Sequence, residues 1–262
     1  MMKLRIAVST FVCICVFGLG LSEAADDLAA VTAGVKKIVQ DVPITSVKTT
    51  TIDGIYEVES MYDVFYYAPK AERLFFGDLF SPDSTNITAL SKNAIVSRII
   101  ASLDLSKAVK LGTGKNSVIE FTDPDCPHCR NAFEYWQNVP DVTRYTFLFP
   151  IAESHPQAVA KSEWILSRND KVAALSDVFS GKYDKELPKG ATEAGKALLK
   201  EHAAFAEKAY VIGTPLYFVN GRILPGVNIE AFEAALLHDE KTTDESKSLQ
   251  KREEVSVREY II

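Results

Sequence analysis

Thiols are scarce in this chain: 4 cysteines occur in 262 residues, and Cys13 and Cys15 lie in an N-terminal apolar stretch that reads as removable. Only Cys126 and Cys129 then remain. A structural zinc site takes four protein ligands, and beside this single pair stand only His128, His155, His202 and His238, scattered along the chain, so no metal is expected. A purely structural bridge is also a poor reading, because closing so short a loop stabilises by only about 2 kcal/mol in the chain-entropy picture. Basic clustering is missing as well: with a net charge of −6 and no Lys/Arg stripe, nothing points to nucleic acid. No cofactor is called for. The longest apolar run, Ile6 to Leu21, is about 16 residues, at or below the length needed to span a bilayer.

That run is preceded by Lys3 and Arg5 and followed by Ser22-Glu23-Ala24, which offers small residues where a signal peptidase reads. Residues 1–24 are therefore expected to be a secretory signal rather than an anchor, Asp26 and Asp27 being a poor stop-transfer flank. The mature chain would work in an oxidising, exported compartment with one cysteine pair. A hydrophobic content of 47% with 24% charged residues is ordinary for a globular protein, and 262 residues suggest two domains.

The pair sits in Val118 to Trp136. Val118, Ile119 and Phe121 read as a buried strand, Thr122 to Asp125 as a turn, and Pro127 as the first residue of a helix burying Ala132, Phe133 and Trp136. Proline is tolerated there because its missing N–H would have had no intrahelical partner. Cys126 falls at the N-cap as the exposed member of the pair, and Cys129 one turn inside. A thiolate at a helix N-terminus feels the positive end of the macrodipole and unpaired N–H groups, so its pKa should fall from roughly 8.5 to within about 3.5–7.5. His128 would push the same way. Redox exchange is the chemistry this favours. Glu120 in the apolar strand is either a buried proton acceptor for Cys129 or a carboxylate at a solvated strand end, and burial cost favours the first.

Before this stretch, Asp27 to Gln40 has helical apolar spacing. Strand-like pieces follow at Ser46 to Thr51, Ile55 to Glu59, Asp63 to Tyr67 and Arg73 to Phe76, with a tight turn at Asp53-Gly54. Such an α+β unit of about 60 residues is marginal alone, and its edge strands suit pairing with a second copy, or packing on its own second domain. Its aromatics Phe65, Tyr66, Tyr67, Phe75 and Phe76 are core or surface, or line an apolar cleft for unfolded clients. A connecting helix is predicted from about Leu90 to Leu105, with a hinge at Gly112-Thr113-Gly114. Downstream come a strand at Arg144 to Phe149, helices at Pro156 to Arg168, Asp170 to Phe179 and Ala191 to Tyr210, strands at Leu216 to Val219 and Arg222 to Leu224, and a helix at Ile229 to His238. The charged stretch beyond has no periodicity and reads as a mobile tail.

This order is that of a thioredoxin fold with a helical insertion, and the whole chain before the tail resembles the bacterial periplasmic disulfide isomerases DsbC and DsbG. The resemblance is carried by Phe121-Thr122-Asp123 before Cys126-Pro127-His128-Cys129, by Gly213-Thr214-Pro215, and by Asn220-Gly221-Arg222-Ile223-Leu224-Pro225-Gly226. It implies an attacking Cys126, a resolving Cys129, Thr214 and a cis-Pro215 facing the substrate, and the division 1–24 signal, 25–88 α+β dimerisation domain, 89–112 linker helix and hinge, 113–239 α/β thioredoxin-fold catalytic domain, 240–262 charged tail. It also implies a periplasmic homodimer that reshuffles disulfides in misfolded or unfolded exported proteins and is kept reduced by a DsbD-like membrane reductase. Two departures stand out. DsbC has a further disulfide in the inserted helices, for which this mature chain has no cysteines. Pro127-His128 and Glu120 instead match the monomeric oxidase DsbA, so an oxidase served by a DsbB-like partner is the alternative, and a redox-independent holdase chaperone is the rival from another class.

Overall fold

A computed structural model describes residues 20–237, with side chains from residue 28 onward; residues 1–19 of the expected signal peptide and all of the charged tail lie outside these residues. Two compact units divide between Leu79 and Phe80. No helix among the described residues is long and apolar enough to cross a membrane.

In the first unit, helix α1 (Gly20–Ile38) precedes an antiparallel meander of β1 (Ser46–Thr49), β2 (Tyr56–Ser60), β3 (Asp63–Ala68) and β4 (Arg73–Phe75), in spatial order β1-β2-β3-β4. Gly54 takes φ 72° in the β1–β2 connection, a left-handed angle that glycine adopts without steric cost. Val31 and Val35, one helical turn apart, pack on Val58, Phe65 and Tyr67, which alternation along the strands places on one face of the sheet. Gly34 allows the close approach: a Cβ there would lie 2.6 Å from the Tyr67 hydroxyl.

The second unit opens with α2 (Ile87–Ala101), capped by Asn86, whose side chain accepts the Ala89 N–H at 2.8 Å. A 3₁₀ turn (Leu105–Lys107) leads into β5 (Val109–Leu111), then β6 (Asn116–Thr122), α3 (Pro127–Gln137), β7 (Val142–Leu148), α4 (Ala158–Leu166), α5 (Lys171–Phe179), α6 (Glu193–Lys208), β8 (Leu216–Val219), β9 (Arg222–Pro225) and α7 (Ile229–Leu237). The sheet order is β5-β7-β6-β8-β9, with β6 and β7 parallel and the other neighbours antiparallel. On one face Val118, Tyr217 and Val219 meet Ala132 and Trp136 of α3 and Phe232 of α7. Of the opposite parity, Phe121 stacks on Phe147, which meets His202 and Phe205 of α6 edge-on. This is the expected thioredoxin-type sheet, with helices α4 to α6 inserted between β7 and β8.

Strand β5 is the element that periodicity misses, since three residues are too few to establish alternation. It pairs with β7 from Val109↔Thr146 to Leu111↔Arg144. Gly112 and Gly114 follow it directly, and each lies against β7: a Cβ would come within 2.3 Å of the Val142 carbonyl oxygen and 1.9 Å of the Asp141 carbonyl carbon, respectively. These glycines serve close backbone approach.

Candidate active site

Strand β6 ends at Thr122, and the chain must turn before α3 can begin. Asp123 builds that turn. Its Oδ1 accepts the Asp125 N–H at 2.8 Å, and its carbonyl accepts the Cys126 N–H at 3.2 Å. Its Oδ2 accepts the Ile151 N–H at 2.7 Å and lies 3.0 Å from His155 Nδ1. The carboxylate is fully buried, so these contacts replace its lost hydration.

Cys126 is the N-cap of α3, with extended φ and ψ of −73° and 121°, and Pro127 occupies the first turn. Both thiols are free. Cys126 is less exposed than its N-cap position suggests, 6% against 1% for Cys129, because the segment before Pro215 packs over it: its Sγ lies 3.6 Å from the Thr214 carbonyl oxygen. The Thr214–Pro215 peptide is cis. Cys129 Sγ accepts the Asp123 N–H at 3.5 Å.

The two sulfurs are driven apart in acidity. The hydrogen bond from the Cys129 thiol is the largest influence lowering the Cys126 pKa from 9.0 to about 5; the N–H groups of Cys129 and His128 add to it, against desolvation. Burial, followed by the bond to Cys126, pushes Cys129 far upward. His128 thus contributes through its backbone N–H, while its ring points to solvent.

Glu120 is 2% exposed, which removes the solvated strand-end reading. Its Oε1 accepts the Thr146 hydroxyl at 2.5 Å and lies 3.8 Å from Arg144 Nη1. Arg144 in turn covers the ring of Phe133 on α3, 5.0 Å from its centroid. Tyr217 stands opposite Glu120 in the register, and burial, then the nearby Glu120 and Cys129 charges, raise its pKa.

Residues 103–239 match the family described as thioredoxin-like domain, and residues 22–89 match the disulfide bond isomerase protein N-terminal domain. The chain belongs to the thioredoxin-like family. Its N-terminal unit is of the DsbC type. A protein of Bordetella avium named "Probable thiol:disulfide interchange protein DsbC" is 31% identical over 183 residues, covering 68% of this chain and 63% of that protein. A protein of the same name from Bordetella pertussis is 27% identical over 132 residues, 49% of this chain and 47% of its own length. The chain thus spans less than two thirds of these relatives. Among solved structures, a disulfide interchange protein from Neisseria gonorrhoeae is 32% identical over 48% of this chain and 89% of its own, with a TM-score of 0.42.

In this thioredoxin-like unit, Cys126, Pro127, His128, Cys129, Thr214 and Pro215 come together at one end of the sheet, and Glu120 lies in the buried layer between sheet and α3. His202 belongs to the core instead. Sequence reading missed Asp123 as the hub of the turn, together with its partner His155 and a charged cluster formed by Asp125, Arg130, Lys161 and Asp184. The Asx pattern at Asp123 was a usable signal; apart from Asp125 and Arg130, five residues apart, the side-chain partners lie 23 to 54 residues away and leave no local trace.

Proposed function

We propose that this chain is a thiol:disulfide interchange protein acting in the periplasm on misfolded or unfolded exported proteins, working chiefly as a disulfide isomerase. The observation that carries the interchange chemistry is the thiolate-favouring setting of Cys126: helix N-cap, hydrogen bond from the buried Cys129 thiol, and the Thr214–Pro215 segment against its sulfur; the isomerase direction rests on the DsbC-type N-terminal unit. Cys126 thiolate attacks one sulfur of a client disulfide, forming a Cys126–client mixed disulfide and releasing the other client sulfur as thiolate. When another client thiolate attacks that client sulfur, a rearranged client disulfide forms, Cys126 leaves as thiolate, and no electrons are gained or lost overall. When Cys129 attacks Cys126 instead, the client leaves reduced and Cys126–Cys129 closes as a disulfide.

That second route needs a base for Cys129, and buried Glu120 is the proton acceptor we assign. Thr214 and Pro215 would bind the client backbone beside the sulfur. Dimerisation through residues 25–88, a catalytic unit that takes in β5 ahead of residues 113–239, and a DsbD-like reductase complete the proposal. A second reading is a DsbA-like oxidase, favoured by the low pKa of Cys126 beside Pro127-His128, since stabilising the reduced form raises the potential by about 30 mV per 1.4 kcal/mol. Trapping the thiol state in intact cells, together with refolding of a scrambled multi-disulfide protein, decides between them. Reduced cysteines with rescue of the scrambled substrate are expected; oxidised cysteines with no rescue would overturn the isomerase reading.

A further inference from the structure

The exchange steps above leave one cluster next to the active-site turn unused. Lys161 of α4 is 1% exposed, yet its Nζ is held 2.5 Å from Asp125 Oδ1 and 2.9 Å from Asp184 Oδ1. Arg130 donates to both Asp184 oxygens at 2.6 and 2.7 Å, to Asp125 Oδ1 at 3.0 Å, and through Nε to the Pro124 carbonyl at 2.7 Å. Gly181, at φ 85°, makes the turn that delivers Asp184, and a Cβ there would sit 2.9 Å from Asp184 Oδ2. Two cations meet two carboxylates, so the formal charge is balanced.

Only Lys161 is fully buried; the Asp184 side chain is 42% exposed, so the cluster is a poor device for stability alone, its buried ammonium being costly to desolvate and its outer ion pairs screened by water. Its position gives the charge a use. Asp125 directly precedes Cys126 and Arg130 directly follows Cys129, so the cluster brackets both sulfurs. An unpaired Asp125 carboxylate would repel a thiolate at Cys126, whose other near partners are the Cys129 thiol, the N–H groups of His128 and Cys129, and Thr214.

We propose that Lys161 and Asp184 are positioning residues for thiol–disulfide exchange: with Arg130 and Asp125 they form a charge-neutral clasp that ties the helical insertion to the Cys126 turn and keeps Asp125 from opposing the thiolate. The proposal rests on the oxidoreductase reading. A fixed structural role and an electrostatic one differ in sign. Lys161→Met leaves the cluster one negative charge in excess, and Asp184→Asn leaves it one positive charge in excess. On the clasp reading the pH midpoint of Cys126 alkylation rises in Lys161→Met and falls in Asp184→Asn, each by about half a pH unit or more. Equilibration with glutathione then shifts oppositely, Lys161→Met becoming about 3-fold harder to reduce and Asp184→Asn about 3-fold easier at a pH where Cys126 is largely thiolate. Lys161→Arg should restore the unsubstituted midpoint. Asp184 is partly exposed and its amide variant nearly isosteric, so that arm holds even if Lys161→Met does not fold. Midpoints that move in the same direction, or an unmoved midpoint in folded Asp184→Asn, would overturn the clasp while leaving the oxidoreductase reading intact. An unsubstituted protein that alkylates like a free thiol and exchanges with no disulfide would overturn both.

Discussion

Two sulfurs three residues apart meet opposite environments. Cys126 faces the open N–H groups at the start of α3, whereas Cys129 lies inside the helix with a single backbone donor, Asp123 N–H, at 3.5 Å. The alkylation rate of Cys126 should therefore follow a midpoint near pH 5, leaving it almost wholly thiolate at neutrality. Cys129→Ala removes the largest stabilising contact and should raise that midpoint by about one unit or more. Stopped-flow alkylation against pH checks both, and a midpoint near the free-thiol value of about 8.5 would refute the activation. His202 makes a different prediction at the same scale. Leu148 N–H donates to its Nδ1 at 3.0 Å and Lys107 offers a carbonyl to its Nε2 at 2.9 Å, so the ring is neutral with its proton on Nε2. Burial lowers its pKa from 6.5 to about 4. The unfolded chain therefore binds the proton first as pH falls. The stability this neutral ring supports is whole above pH 6.5, is lost between 6.5 and 4, and amounts to about 3 kcal/mol. Urea unfolding at pH 7.5 and 4.5 measures it, with His202→Gln expected to flatten the slope; coincident slopes would remove His202 as the cause.

Elements were legible where period and length gave them away. The Leu216–Val219 strand and the helix opened by Pro127 stand where β-branched and aromatic runs and a first-turn proline put them. Strand β5 was too short to carry a period, and the contacts around Asp123 and Lys161 pair residues too distant in sequence to leave a pattern. Packing between inserted helices was equally invisible. Gly195, in the first turn of α6, would with a Cβ come 2.1 Å from Ser167 Oγ and 2.8 Å from the Glu163 carbonyl oxygen at the end of α4. Ser167 Oγ is itself tied down, donating to that carbonyl at 2.7 Å and accepting the Thr192 N–H at 2.8 Å. With no cysteine in the insertion, α4 and α6 are held by packing, through this contact together with Ile165, Leu166 and Leu199 in one buried cluster. Gly195→Ala would gain helix propensity on an open surface, but here should destabilise by about 1–3 kcal/mol through overpacking against backbone. Thermal melting reads the sign directly, and an unchanged or raised Tm would show that α4 and α6 can part without cost.

For the whole molecule, the question is what the N-terminal unit does with its edges. Its four strands leave β1 and β4 each with one unpaired side, and Phe75 and Phe76 are 48% and 74% exposed at the β4 end. So short a meander, with α1 packed on one face, has outer N–H and C=O rows on β1 and β4 that no strand among the described residues pairs, and a second copy could satisfy them around a two-fold axis. A dimer would also supply two Cys126 centres to one client, which suits reshuffling: a client held by one copy while its freed thiolate searches need not escape half-reduced. Light scattering on the chain without residues 1–24 should therefore return twice the single-chain mass. Placing Pro at Val47 in β1, or Asp at Phe76, tests the two edges separately, because proline removes a ladder donor and a carboxylate resists burial. The variant that blocks the correct edge should become monomeric and lose rescue of scrambled substrate, yet keep the Cys126 alkylation midpoint and the capacity to oxidise a reduced peptide, since the sulfur environment lies wholly in the second unit. A monomeric unsubstituted protein, or a monomeric variant that still rescues scrambled substrate at the full rate, would detach isomerisation from dimerisation and leave the oxidase reading the stronger one.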